Sequence, residues 1–289
     1  LKISTPPIIN NRFGIFYQKR SEVEEIFTTK LLFTQFIQEE TKRNLQRIKN
    51  FYNSIIIVGE TGTAKSSIAY QTFLNQEMHN NQLISIDAKL MNEKMWKFLV
   101  NPTNGPLVDE HNTLLFQNIE QLSVRDAEQL ITIVKNTKLL QRNNLLFTYN
   151  TNNASEEKIY NRLLFELNCA SIYAPPLKER KHELSVITTL LLNKINIECN
   201  KDVLGFEPNA LKEFLAFEWP GNFNQLQSAL KELVINATTH YISEHQVIQL
   251  LKKERLIQHF SDSHLGSFTL QTKVENPTLF DYSKEIILN

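Results

Sequence analysis

The chain reads as an α/β protein, a parallel sheet with helices on both faces followed by a small helical domain. Three observations predict this. Short apolar runs, several rich in β-branched residues, alternate with helically periodic stretches between Ile55 and Tyr173. The first of these runs, Ile55-Ile56-Ile57-Val58, leads into a glycine-bearing turn and then a helix start. After Pro175-Pro176 the alternation stops, and the sequence is helical in pattern from Glu179 to about Arg255.

Taken in order, residues 1–20 carry short apolar pieces, Ile8-Ile9 and Phe13 to Phe16, without a decisive pattern. They read as the tail of a preceding domain, and Leu1 in place of Met makes a segment of a longer protein the expectation. Residues 21–50 show near-helical spacing of Val23, Ile26, Phe27, Leu31, Phe36, Ile37, Leu45 and Ile48. Strands are expected at 55–58, 83–88, 113–116, 144–148 and 170–173, with helices through about 78 and over 91–100, 124–135 and 156–165. Pro102 and Asn104-Gly105-Pro106 mark a turn. Four helices follow, over 179–195, 208–217, 222–238 and 243–256. Residues 260–277 read as a polar linker, and 279–288 as the opening of another helix.

Bulk properties narrow the functional classes. Lys+Arg and Asp+Glu are both 31 in 289 residues, so no overall field draws nucleic acid to the chain. The two cysteines, Cys169 and Cys199, form no metal spacing and fit a reducing cytoplasm. No apolar run approaches membrane-spanning length, and no signal peptide opens the sequence. Only seven glycines occur, two of them in the turn after the first strand.

That turn carries the chemistry. A phosphate loop wants Gly, four residues, Gly, Lys, then Ser or Thr. Gly59, Lys65 and Ser66 match, and Ala64 stands where the second glycine belongs. The candidate cofactor-binding residues are Gly59, Glu60, Thr61, Gly62, Thr63, Ala64, Lys65, Ser66 and Ser67. Successive backbone N–H groups would curl round a phosphate at the helix N-terminus, with Lys65 on the β- and γ-phosphates and Ser66 as a Mg²⁺ ligand. Ala64 puts a methyl where positive φ or close approach to phosphate is expected. A tight strand-to-helix turn with a solvent-facing lysine is the competing reading.

The order of motifs resembles the AAA+ domain of bacterial enhancer-binding proteins, transcription activators of sigma-54 RNA polymerase. The residues that carry the resemblance are the loop Gly59-Glu60-Thr61-Gly62-Thr63-Ala64-Lys65, the strand Thr113-Leu114-Leu115-Phe116 and the segment Thr148-Tyr149-Asn150. Pro175-Pro176-Leu177-Lys178-Glu179-Arg180-Lys181 and Trp219-Pro220-Gly221-Asn222 are the most specific. The resemblance implies an AAA+ P-loop NTPase-like fold with a helical lid. It divides the chain into an N-terminal segment (1–44), a nucleotide-binding subdomain (45–174), a lid (175–258) and, over 259–289, a linker and the start of a Fis-like helix-turn-helix. It also implies ATP or ADP with Mg²⁺, Asn150 as a phosphate sensor, self-association, RNA polymerase as a partner, and DNA contacted through a domain beyond Asn289.

The departures from the family are as informative. An Asp-Glu pair belongs directly after the second nucleotide-motif strand, to hold Mg²⁺ and to polarise water; Gln117 and Asn118 stand there. Amides carry no charge and take no proton, so they serve neither task well. The positions of the family's inter-subunit arginines hold Tyr160 and Glu166, with Arg162 a nearby substitute. The lid arginine is replaced by Asn224, and no GAFTGA-like string lies between Ala88 and Thr113. Ser66 departs the other way, restoring the general phosphate-loop residue where the family has glutamate. The combination implies nucleotide binding without efficient hydrolysis and no activation of sigma-54 polymerase. A substitute ATPase built on Arg162 and Glu120, or a nucleotide-free scaffold, are the alternatives. Catalytic residues are therefore assigned to none.

Other features have plainer readings. Asp109, Glu110 and His111 read as a solvated loop, and His240 and His245 as surface residues. Lys252-Lys253-Glu254-Arg255 reads as a basic run at a helix end, Trp219 as lid core, and Phe27, Phe33 and Phe36 as packing a helix against the sheet.

Overall fold

The computed structural model describes residues 15–29, 36–48, 51–76, 81–103, 105–152 and 157–266. Six strands form one sheet: β1 (Ile15–Lys19), β2 (Ser54–Gly59), β3 (Gln82–Asp87), β4 (Thr113–Gln117), β5 (Asn144–Asn150) and β6 (Ala170–Tyr173), in the order β1-β3-β4-β5-β2-β6. The five strands from β2 to β6 pair in parallel. The expected parallel sheet is therefore present, with one addition that the sequence did not reveal. Strand β1 pairs antiparallel with β3, Ile15 opposite Ile86 and Lys19 opposite Gln82, and closes one edge.

Period-two alternation explains how the sheet is buried on both faces. Ile56, Ile84, Ile86, Leu114, Phe116, Leu145 and Phe147 belong to one core. Their neighbours Ile55, Ile57, Leu83, Leu115, Leu146 and Ile172 belong to another. Helices α1 (Arg20–Thr29), α2 (Glu39–Ile48) and α3 (Lys65–Leu74) cover the second face through Val23, Leu45, Ile68 and Phe73. Helices α4 (Glu93–Leu99), α5 (Val124–Asn136) and α6 (Glu157–Glu166) cover the first through Met95, Trp96, Leu130, Ile159 and Leu163.

The lid is built from α7 (Leu184–Cys199), α8 (Pro208–Ala216), α9 (Asn222–Ile235) and α10 (Glu244–Gly266). A two-residue parallel ladder, β7 (Gly205–Phe206) with β8 (Tyr241–Ile242), ties its loops together. Trp219 is 1% exposed at its centre, as expected. The indole packs tilted against Phe214 at 4.6 Å and edge-on to Phe217 at 4.9 Å, and its Nε1 donates to the Phe214 carbonyl.

Several expected boundaries differ. The helix expected over 21–50 is interrupted among the described residues, because Ile37 and Gln38 leave helical conformation before α2. Phe36 packs in the lid core against Phe223 and not between a helix and the sheet, while the Phe27 side chain and Phe33 lie outside the described residues. The last helix runs to Gly266, so the first residues of the expected linker are helical. The basic run 252–255 is consequently mid-helix, with Lys253 paired to Glu232 and the Arg255 guanidinium over the Phe217 ring. The further helix expected over 279–288 lies outside the described residues.

Candidate functional site

The loop after β2 sits at the C-terminal edge of the sheet, where open α/β sheets hold ligands. Two of its residues have positive φ: Gly62 at 77° and Ala64 at 61°, the latter with ψ 31°. Gly62 has a second constraint, because a Cβ built there would run into the Gly221 carbonyl of the lid. Ala64 adopts the left-handed conformation that the template glycine takes without strain. Relief of that strain, about 1–2 kcal/mol, exceeds glycine's extra entropy cost of about 0.5–1 kcal/mol. Ala64→Gly is therefore expected to raise the urea midpoint of unfolding modestly; a lowered midpoint would show that the loop is not strained there.

The three strings that the sequence analysis singled out meet as one hydrogen-bonded cluster. The Asn222 amide, 1% exposed and itself at φ 53°, donates to the Thr61 carbonyl at 2.9 Å and the Glu60 carboxylate at 3.3 Å. Its carbonyl oxygen accepts from the Leu177 N–H at 2.8 Å. The Phe223 N–H donates to the Gly62 carbonyl at 3.1 Å. Glu60 also pairs with Lys178 at 2.6 Å. Each string thus closes part of a joint between the loop after β2 and the lid.

Within the loop, the Lys65 ammonium donates to the Gly59 carbonyl at 2.9 Å and the Glu60 carbonyl at 2.6 Å. Burial lowers its pKa from the ordinary lysine value to about 8, opposed by the carboxylates of Glu120 and Glu60. Ser66 is exposed and Ser67 buried, while Thr63 is buried with its hydroxyl on the Glu60 carbonyl. Asn150, at the end of β5, donates its amide to the Thr61 hydroxyl at 2.7 Å and its backbone N–H to Glu120 at 3.1 Å.

These residues wall a cleft of about 440 Å³. Thr61 to Ser67 form one side; Gln117, Asn118, Thr148 and Asn150 line it from the strand ends, and Phe36, Phe223, Asn224 and Gln227 from the lid end. The loop, Asn150 and all three amides at family acid or arginine positions are therefore brought together. Gly59 and Glu60 anchor the loop behind the cleft and do not line it. Glu120, only 7% exposed, supplies the acidic side chain among the lining residues, and Lys89 a second ammonium. In sequence Glu120 stands out only as a substitute acid, and nothing marks Lys89, which lies on a short turn after β3, three strands from the loop.

Arg162 is engaged elsewhere. Its guanidinium bonds Glu128 at 2.8 Å and Glu166 at 3.0 Å on the surface of α6, and Glu166 also holds Lys135 at 2.9 Å. Asp109, Glu110 and His111 are exposed, as are His240 and His245. Among the described residues, no group of three His, Cys, Asp or Glu side chains is placed to hold a metal, and no helix is long and apolar enough to cross a membrane.

Comparison with known proteins gives this geometry a lineage. Residues 178–264 match the AAA+ ATPase lid domain. The chain is 23% identical over 207 residues to the transcriptional regulatory protein XylR of Pseudomonas putida, covering 63% of this chain and 37% of that protein. It is 22% identical over 219 residues to the transcriptional regulatory protein ZraR of Klebsiella oxytoca, covering 67% and 49%. The alignments thus span less than half the length of these relatives. NtrX from Brucella abortus, solved in complex with ATP, superposes with a TM-score of 0.58 at 14% identity over 73% of this chain and 53% of that one. The fold, the lid and the regulator relatives point the same way: the chain carries an AAA+ fold with an AAA+ ATPase lid over 178–264, and it is similar to bacterial enhancer-binding transcription regulators.

Proposed function

We propose that this AAA+ domain binds ATP or ADP with Mg²⁺ but does not hydrolyse ATP efficiently. The observation that carries the reading is the make-up of one cleft. Its loop wall offers a helix N-terminus, Lys65 and the exposed Ser66 hydroxyl, which suit phosphate and Mg²⁺. Its facing walls offer the amides of Gln117, Asn118 and Asn224, which cannot act as base or as cation. Arginine fingers alone contribute about 10³–10⁵ in rate, and Arg162 is committed to two carboxylates.

In this reading the domain self-associates through family-like surfaces and positions a DNA-binding domain beyond Asn289. It does not remodel sigma-54 polymerase, because residues 88–113 carry no GAFTGA-like string. Nucleotide occupancy would set the lid position, since Asn222 and Phe223 join the lid to the loop.

Calorimetric titration with ATP and ADP in Mg²⁺, alongside steady-state phosphate release, tests the proposal. Saturable binding with release at the level of the blank is expected. Absence of binding at millimolar nucleotide would leave the scaffold reading, which is favoured by the engagement of Lys65 with its own loop carbonyls. Phosphate release abolished by Glu120→Gln would establish the ATPase reading, which the place of Glu120 in the cleft favours.

A further inference from the structure

The strand order gives the cleft a direction. Along the C-terminal edge of the sheet lie β6, β2, β5, β4 and β3 in turn. Phe36, Phe223 and Asn224 line the cleft from the lid side, and the loop after β2 follows. Gln117 and Asn118 come next from β4, and Lys89 last, from the turn after β3. Three strand spacings separate β2 from β3, roughly 14 Å. A run of phosphates starting at the loop and leading away from the lid therefore passes over β5 and β4 towards Lys89.

Lys89 is also held at that end. The Asp87 carboxylate accepts its backbone N–H at 3.1 Å and the Asn118 side-chain amide at 2.9 Å, so one acid fixes both the lysine's turn and the amide beside it. The Asn118 N–H in turn donates to the Thr148 hydroxyl at 3.0 Å, tying the group to β5. Among the charged side chains lining the cleft, Lys65 and Lys89 stand against Glu120, an excess of positive charge. A lysine ammonium is a compact point charge on a long stem, able to follow a phosphate without a fixed fork.

We propose that Lys89 is a second phosphate-binding residue, contacting the terminal phosphate of a nucleoside triphosphate and making the cleft prefer triphosphate to diphosphate. The proposal rests on the nucleotide-binding reading above and adds a selectivity to it. It places within one chain a cation that Tyr160, Glu166 and Asn224 do not offer at the family's arginine positions. Lys89 is exposed, so its replacement leaves the core intact.

The test is calorimetric titration of the 289-residue chain with Mg·ATP and Mg·ADP, for wild type, Lys89→Ala and Lys89→Arg. Loss of one charge-assisted contact is expected to weaken ATP about tenfold in Lys89→Ala and leave ADP within about twofold. Lys89→Arg is expected to keep most of the ATP preference. An unchanged ATP-to-ADP ratio in Lys89→Ala, or equal weakening of both, overturns the proposal and leaves the nucleotide reading standing. Failure of the wild type to bind either nucleotide overturns that reading and the proposal with it.

Discussion

Replacing Asn222 by alanine is expected to cost about 3 kcal/mol of stability, because buried partners lose their bonds and alanine must hold a left-handed backbone. At the size of this domain that corresponds to a fall in melting temperature of roughly 6–12 °C. The reasoning is an account of buried polar groups. Asn222 donates to Thr61 and accepts from Leu177, and both contacts vanish with the side chain. The Leu177 N–H lies in a buried environment and has no water to turn to. The variant Asn222→Asp keeps the acceptor for Leu177 but replaces the donor facing Glu60 and Thr61 by a carboxylate, so it is expected to be no better than alanine. Thermal melts monitored by circular dichroism measure the loss. Hydrogen exchange at Gly59 to Lys65 locates it, since the loop should open faster when the lid no longer holds it. A melting temperature within 2 °C of wild type would show that the joint is not a stability element.

The same joint shows what the sequence made legible. Trp219-Pro220-Gly221-Asn222 and Pro175 to Lys181 were singled out as rare strings, and the residues within them that touch the loop, Asn222, Leu177 and Lys178, explain physically why they belong with it. The sheet strands were legible because both faces are buried and leave near-continuous apolar runs. Strand β1 was not, because five residues at an edge carry a weak pattern and their partner, β3, is remote in sequence. The extension of α10 to Gly266 was missed for a related reason. Leu256 and Ile257 are 62% and 51% exposed, so the apolar stripe that marks a packed helix ends before the helix does. Of the candidate site, the loop was readable from its place between a strand and a helix together with the spacing of Gly59, Lys65 and Ser66. Lys89 and the buried setting of Glu120 were not, since the sheet order brings them to the cleft from separate turns.

Lys65→Ala is expected to weaken nucleotide binding by about 10- to 100-fold, the equivalent of about 1.5–3 kcal/mol for hydrogen bonds to a charged group. The fold should survive it, because Lys65 is held as a desolvated cation and the loop is fixed to the lid by Asn222 and Phe223 rather than by the ammonium. A pH signature separates this role from a general loosening of the loop. With its pKa lowered to about 8, free Lys65 begins to lose its proton as pH rises through 8, well before an unfolded lysine at 10.5. In that window the unfolded chain binds more protons than the native one, so the desolvation cost fades and the free protein gains stability from this residue as pH rises. A bound phosphate favours the ammonium and lifts its pKa, so binding above pH 8 must draw in a proton. Affinity should therefore fall with rising pH, by up to about tenfold per unit, while the free protein moves the opposite way. Calorimetry at pH 8.5 in two buffers of different ionisation enthalpy measures the proton taken up. Wild type should show uptake and Lys65→Ala none; equal binding and equal proton linkage in both would remove Lys65 from the phosphate site.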